Sequence, residues 1–242
     1  MHVHLPKALH NWRELAREIA IIVVGVLIAL FFEQLVEGWR WQHKIAAAEN
    51  AMRFELLWDD GPQLYQRWAM HPCIVARLDG IRGAVEADRP RGEIRALIDS
   101  FWLPSFSYDS IAHQEAIASD VASHMSHAEN DPYDALYDDM PRLDRTSEQE
   151  GMAMAQLRVL KRTGGALSLA EQDKVLSAVE VLRNDDRIIW LPWRWALPYL
   201  RKVGQLDAQR IRDFMIVARK HYGACVKDLP AALPRNGSSY LG

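Results

Sequence analysis

Residues 19–32 read IAIIVVGVLIALFF, and the placement of this run governs how everything after it is read. It carries no charge. Its Ile, Val, Leu and Phe side chains surround the full circumference of a helix, so no polar face is left for water. Its 14 residues give roughly 21 Å of helix, against the roughly 30 Å of a bilayer's hydrocarbon core. On length alone the run fits a membrane anchor, a helix buried in a soluble core, or the apolar part of a signal peptide.

The flanks favour the anchor. Leu15 and Ala16 lengthen the run on one side, and Leu35 and Val36 on the other. Arg17 can snorkel outward, and Glu18 and Glu33 fall near the two boundaries. Trp12 and Trp39 lie 27 residues apart, roughly 40 Å along a helix, which matches the spacing of the two aromatic belts of a membrane. No A-x-A cleavage site follows soon after Phe32, and the small residues at 46–48 come too late. The expectation is an uncleaved single-pass anchor. Lys7, Arg13 and Arg17 precede it and Arg40 and Lys44 follow, which by the positive-inside rule leaves the N-terminus cytoplasmic and the bulk of the chain periplasmic.

The same residues carry a resemblance. Trp12, then Glu18, Ile19, Val23, Val24, Gly25, the Leu-Ile-Ala-Leu at 27–30, and Trp39 resemble the N-terminal signature of an uncharacterised family of bacterial membrane proteins. That signature is an E-I-x-x-V-V-x-G-x-L-I-A-L-type segment leading into a Trp-containing helix. It covers about the first 45 residues. The family pattern has Asn-rich sequence after the span, where this chain has Phe32, Glu33 and Gln34. The resemblance implies a single-pass inner-membrane protein and no particular activity.

Composition narrows the rest. Beyond the anchor about 200 residues remain, enough for one hydrophobic core. A net charge of −3, with Lys and Arg scattered, excludes a general nucleic-acid binder, which would show a basic face. Nine Trp residues point to core packing or membrane-interface anchoring. The two cysteines, Cys73 and Cys225, form neither C-x-x-C nor zinc spacing. In the periplasm they can pair; otherwise they are two small buried apolar residues.

Along the chain, helical periodicity dominates. A helix beginning at Pro6 or at an Asn11/Glu14 capping box runs through the span to about residue 59, its second half forming a stalk, and Gly61-Pro62 stops it. Shorter helices are expected at 63–70, at 73–85 after a kink at Pro72, and at 93–102. Residues 103–108 form a loop and 109–127 a further helix. Asp131-Pro132 starts a helix over 133–163, weakened at Pro141 and ended by Gly164-Gly165. Ser168 and Glu171 form a capping box for a helix over 169–184, and 206–226 is the last helix. Residues 188–200, IIWLPWRWALPYL, are too short and proline-rich to span a bilayer. They are either an aromatic plug of the core or a segment dipping to the membrane surface, with Trp190, Trp193, Trp195 and Arg194 at headgroup level.

Two constellations stand out. Glu18, Gly25, Ala29 and Glu33 share one face of the anchor, and Gly25-x-x-x-Ala29 is a small-xxx-small pair. The functional reading is a helix–helix interface, in a homo-oligomer or with another membrane protein. The plainer one is that Gly and Ala are common in spans and Glu18 snorkels. In the 109–127 helix, His113, Asp120, His124 and His127 share a face, and such pairs at helical spacing can ligate a divalent metal. The plainer reading is a solvated face with Asp120 and His124 as an i,i+4 pair. Nucleophile elbows, phosphate loops and zinc spacings are not found, and Asp59-Asp60, Asp138-Asp139 and Asp185-Asp186 read as solvated charge.

The sequence therefore predicts an all-α protein. A tail at 1–10 leads into a transmembrane helix and stalk at 11–60, a soluble domain at 61–226 in a bundle of about six to eight helices, and a disordered tail at 227–242. The predicted role is non-enzymatic interaction or scaffolding at the bacterial envelope. No catalytic residue or cofactor is assigned, and the partners are the lipid bilayer and a second copy or another membrane protein. The alternative is a periplasmic ligand- or metal-sensing module; a membrane-bound enzyme is a third and weaker option.

Overall fold

A computed structural model of the chain describes residues 12–158 and 165–227, and every regular element in them is helical. The chain divides into two compact units, residues 1–47 and 48–242. The first is represented by α1 (Trp12–Phe54), which also supplies the opening residues of the second. The apolar side chains of α1 from Ile19 to Val36 are open on every side: Ile22 is 66 % exposed and Phe32 60 %. None of its most hydropathic stretch is buried, and it is the one described helix long and apolar enough to cross a membrane. A core helix of a soluble protein covers at least one face with its own chain; residues 19–36 of α1 are covered on none.

The second unit is arranged around α2 (Gly61–Glu86), which buries nearly all of its first ten residues. Around it lie α3 (Arg91–Ser100), α8 (Leu169–Trp190), α9 (Pro192–Val203) and α10 (Ala208–Tyr222). A second layer is formed by α7 (Met140–Leu157) against α8 and by α6 (His127–Tyr137) against α9. The short α4 (Ile111–Ala118) and α5 (Val121–His124) complete the bundle. The core is aliphatic and aromatic, with Leu64, Tyr65, Ile74 and Leu78 of α2 facing Val179, Leu182 and Trp193 among its buried members. Cys73 and Cys225 are disulfide-bonded with their Cα atoms 5.7 Å apart, which ties the 3-10 turn Gly223–Cys225 to α2.

Several element boundaries differ from the sequence expectation. Gly61-Pro62 does not stop the chain. A π-helical turn, Glu55–Asp60, joins α1 to α2, and Asp60 and Gly61 both keep helical dihedrals. A wide π turn gives Pro62 room for the carbonyl its ring would otherwise strike, and the proline sits in the first turn of α2, where its missing N–H matters least. Gly61 is small for packing: a Cβ there would stand 2.7 Å from the Leu56 carbonyl and would overlap the Leu206 side chain. Pro72 lies inside the continuous α2.

The 109–127 helix is broken, because Asp120 adopts a left-handed backbone (φ 61°) and Ser126 an extended one. Ser126 and Glu129 form a capping box that starts α6 at His127, before Asp131-Pro132. Pro141 does not weaken a helix; it lies in the first turn of α7. The Ser168–Glu171 capping box is present as expected, but α8 runs on to Trp190 and carries Asp185 and Asp186 within it. The 188–200 segment is helical apart from a turn at Leu191, spanning the end of α8 and most of α9. Residues 1–11, the 159–164 segment with the expected end of the 133–163 helix, and the tail over 228–242 lie outside the described residues.

Candidate functional site

The helical period places three charged residues where apolar ones belong. On α2, Leu64, Ile74, Leu78 and Ile81 mark the buried stripe, and Arg67 falls on it. On α7 the stripe runs through Leu143, Met154 and Leu157, and Glu150 falls on it. On α8 it runs through Val175, Val179, Leu182 and Ile189, and Asp186 falls on it. Where α2, α7 and α8 meet, these three find one another.

Arg67 Nη1 donates to Glu150 Oε2 at 2.9 Å and Nη2 to Glu150 Oε1 at 2.6 Å, a two-pronged pair. Arg67 Nη2 also reaches Asp186 Oδ1 at 2.9 Å. One turn further along α2, His71 Nδ1 lies 2.6 Å from Asp186 Oδ2, and its ring stacks on Trp190 at 4.4 Å. Arg67 and Asp186 are fully buried and Glu150 nearly so. Burial alone would lower the Arg67 pKa, but Glu150 and Asp186 outweigh it and hold the guanidinium charged. Burial raises Glu150 to about 7, with Arg67 pulling the other way and Asp186 and Asp185 adding to the rise. Burial likewise raises Asp185.

A second acidic group lies beside the first. Asp60 is fully buried, and neither of its oxygens has a hydrogen-bond partner of normal geometry. Burial pushes its carboxyl up to about 9, Glu55 and Asp59 add to this, and the nearby Asp109 backbone amide offsets part of it. Asp60 is therefore a neutral acid at pH 7. Glu55 Oε2 accepts from the Ala112 amide at 3.1 Å, and Tyr137 donates to the Met52 carbonyl at 3.3 Å. The Tyr108 hydroxyl is buried without a hydrogen-bond partner, and burial raises its pKa far above that of a free phenol.

The ion network meets solvent at the partly exposed His71, and it also borders a cleft. Glu150 forms part of the wall of a cleft of about 420 Å³ between α7 and the loop carrying Leu103, Pro104 and Ser105. Ser147, Gly151, Met154, Ala155 and Arg158 complete its α7 side, and Ser147 donates to the Phe106 carbonyl at 2.6 Å.

The residues singled out from the sequence are placed differently. With their helix broken, His113, Asp120, His124 and His127 no longer share a face. His113 Nε2 lies 3.0 Å from Asp134 Oδ1, and its ring stacks on Tyr137 at 4.7 Å. His124 Nδ1 lies 2.9 Å from the Asp120 carbonyl, within its own turn. Among the described residues no three His, Cys, Asp or Glu side chains are grouped as a metal ion requires. Glu18, Gly25, Ala29 and Glu33 all lie exposed on α1, and a Cβ on Gly25 would meet nothing within 4 Å. Of the acidic pairs read as solvated, Asp60, Asp185 and Asp186 are buried, because helix continues through both positions. Sequence reasoning passed over Arg67, His71 and Glu150 and read Asp186 as solvated, and the signal that would have found Arg67, Glu150 and Asp186 is a charge on an apolar stripe.

No protein-family model, curated protein or solved structure matches this chain.

Proposed function

We propose that this protein is a single-pass inner-membrane anchor of the bacterial envelope that holds a helical, non-enzymatic interaction module in the periplasm. The observation that carries this reading is the apolar stretch of α1, which is of membrane-spanning length and has its hydrophobic side chains uncovered on all sides. In water such a surface far exceeds what a soluble monomer leaves open, and lipid removes the penalty. Support for the periplasmic side comes from Cys73 and Cys225, whose bond is at home in an oxidising compartment. The charge bias around the span favours the same orientation, and the family resemblance of the first 45 or so residues agrees with it.

The interaction itself is assigned to the α1 stripe of Glu18, Gly25, Ala29 and Glu33. Gly25 and Ala29 let a second helix backbone approach, and the two carboxyls at the boundaries gain from a partner. The partner is a second copy or another membrane protein. The buried ions of the bundle are held by one another, as a structural network is. A membrane two-hybrid assay tests the stripe: Gly25→Leu abolishes self-association on this account, and an unchanged signal removes the stripe as the contact.

A second reading, a periplasmic ligand-sensing module, is favoured by one observation, the cleft that opens onto Glu150.

A further inference from the structure

The last described residues of the bundle are strapped to α2 by a short turn. Helix α10 ends at Tyr222, whose hydroxyl donates to the Trp102 carbonyl, and the 3-10 turn Gly223–Cys225 follows. Gly223 has φ 59°, in the left-handed region that favours glycine, and the helix stops there. Beyond it the Lys227 amide donates to the Ala69 carbonyl at 3.1 Å, and the Lys227 ammonium lies 5.3 Å from the centre of the Trp68 ring. Cys225 is bonded to Cys73, and Val226 is buried.

The two bonded cysteines differ in access. Cys73 is 1 % exposed, among the buried residues of α2 with Met70 and Ile74. Cys225 is exposed. Thiol–disulfide exchange begins with a thiolate reaching one of the two sulfurs, and access decides which. Attack on the folded protein is therefore directed to Cys225.

The covalent bond is the main hold on this segment. Among the described residues, the rest is the Lys227 amide bond, the Lys227–Trp68 contact and the burial of Val226. Each is a modest net gain, and together they stand against the conformational entropy of ordering residues 223–227, to which the glycine adds most. Helix α10 does not depend on the bond in this way. It packs on α2, burying Ile211, Met215 and Ala218, and Gln66 Nε2 donates to the Phe214 carbonyl at 2.6 Å.

We propose that the Cys73–Cys225 bond is a redox-operated latch: a dithiol oxidoreductase reduces it in the folded protein, and residues 223–227 leave α2 about Gly223 while the bundle stays folded. A thiolate of the dithiol attacks Cys225 Sγ, the Cys73–Cys225 bond breaks, and Cys73 leaves as a thiolate. The second thiolate of the dithiol then attacks the sulfur of its own partner in the mixed disulfide, and Cys225 leaves. The two protein thiolates take up the two protons that the dithiol shed. The protein disulfide is reduced to two thiols and the dithiol is oxidised to a disulfide. Opening frees the Ala69 carbonyl and the Cys73 thiol on α2, and the reverse exchange with a disulfide closes the segment again. This device goes beyond the anchoring and assembly proposed above and does not rest on them.

The test uses full-length protein in lipid nanodiscs, reduced with dithiothreitol at a series of urea concentrations below the unfolding transition, with free thiols counted by maleimide mass-tagging. The reduction rate is expected not to change with urea, because the attack needs no unfolding. After reduction the Lys227 amide is expected to lose its protection and exchange hydrogen at the rate of an unstructured chain, while the protein keeps its helical circular dichroism and a cooperative unfolding transition. A dithiol oxidoreductase with its resolving cysteine replaced by serine is expected to be trapped as a mixed disulfide on Cys225. Cys73→Ser combined with Cys225→Ser is expected to show the same unprotected Lys227 amide without reductant. Where that variant fails to fold, the reduced unaltered protein decides. A reduction rate that climbs with urea in step with unfolding, trapping on Cys73, loss of the bundle on reduction, or a Lys227 amide still protected afterwards overturns the latch.

Discussion

Arg67 is the residue whose removal the bundle tolerates least. A guanidinium taken wholly out of water is kept there by Glu150 and Asp186, and truncating it strands two carboxylates in the core. Arg67→Met is expected to lower unfolding stability by roughly 3–5 kcal/mol in denaturant titrations. Asp60 works in the opposite sense. Its carboxyl is raised from 3.8 to about 9, so the folded state holds a proton that the unfolded state releases above pH 4. Stability is at its fullest below the unfolded value and falls as pH climbs from about 4 toward about 9. Asp60→Asn keeps the shape and cannot ionise, so it is expected to stabilise the protein at pH 7 by on the order of 1–3 kcal/mol and to flatten this slope. Denaturation midpoints between pH 5 and 8 read both effects, and an unchanged slope would show that Asp60 is not buried as an acid. None of these roles was legible from neighbours in the chain. Asp60 and Asp186 each sit beside another Asp, which looks like solvated charge, and the arginine that holds Asp186 lies 119 residues away.

At the scale of elements, the sequence was readable wherever local chemistry alone sets a boundary. Ser168 and Glu171 start α8 as their spacing requires, and each side chain bonds the other's backbone amide. It misled where tertiary packing overrides a local signal. Gly61-Pro62 has the composition of a helix stop, yet Leu206 packs where a Gly61 side chain would be, and the preceding π turn carries the helix on. Gly61→Ala therefore acts as an overpacking change, with an expected loss of about 1–3 kcal/mol in thermal unfolding. A residue that merely ended a helix would give a far smaller effect. The shared face of His113, Asp120, His124 and His127 does not form for a related reason. Periodicity assumes an unbroken helix, and a single left-handed residue, Asp120, rotates everything after it. In the 188–200 segment Trp193 is buried against Tyr65, as a core plug requires, while Trp195 is 57 % exposed.

For the molecule as a whole, the helical class was written in the 3.6-residue period and followed from it directly. The pairing of Cys73 with Cys225 was not, because it joins positions 152 residues apart. A loop of that length makes the bond a large restraint on the unfolded chain. Replacing both cysteines by serine is expected to lower stability by about 2–5 kcal/mol, read as the shift in denaturation midpoint relative to the oxidised protein and absent when both samples are reduced. The account rests most heavily on the uncovered apolar length of α1. Full-length protein, expressed in a bacterium, lysed without detergent and washed at alkaline pH, tests it most directly by ultracentrifugation. The account predicts that the protein stays with the membrane pellet and is released only by detergent. Recovery in the supernatant as a well-behaved monomer would contradict it.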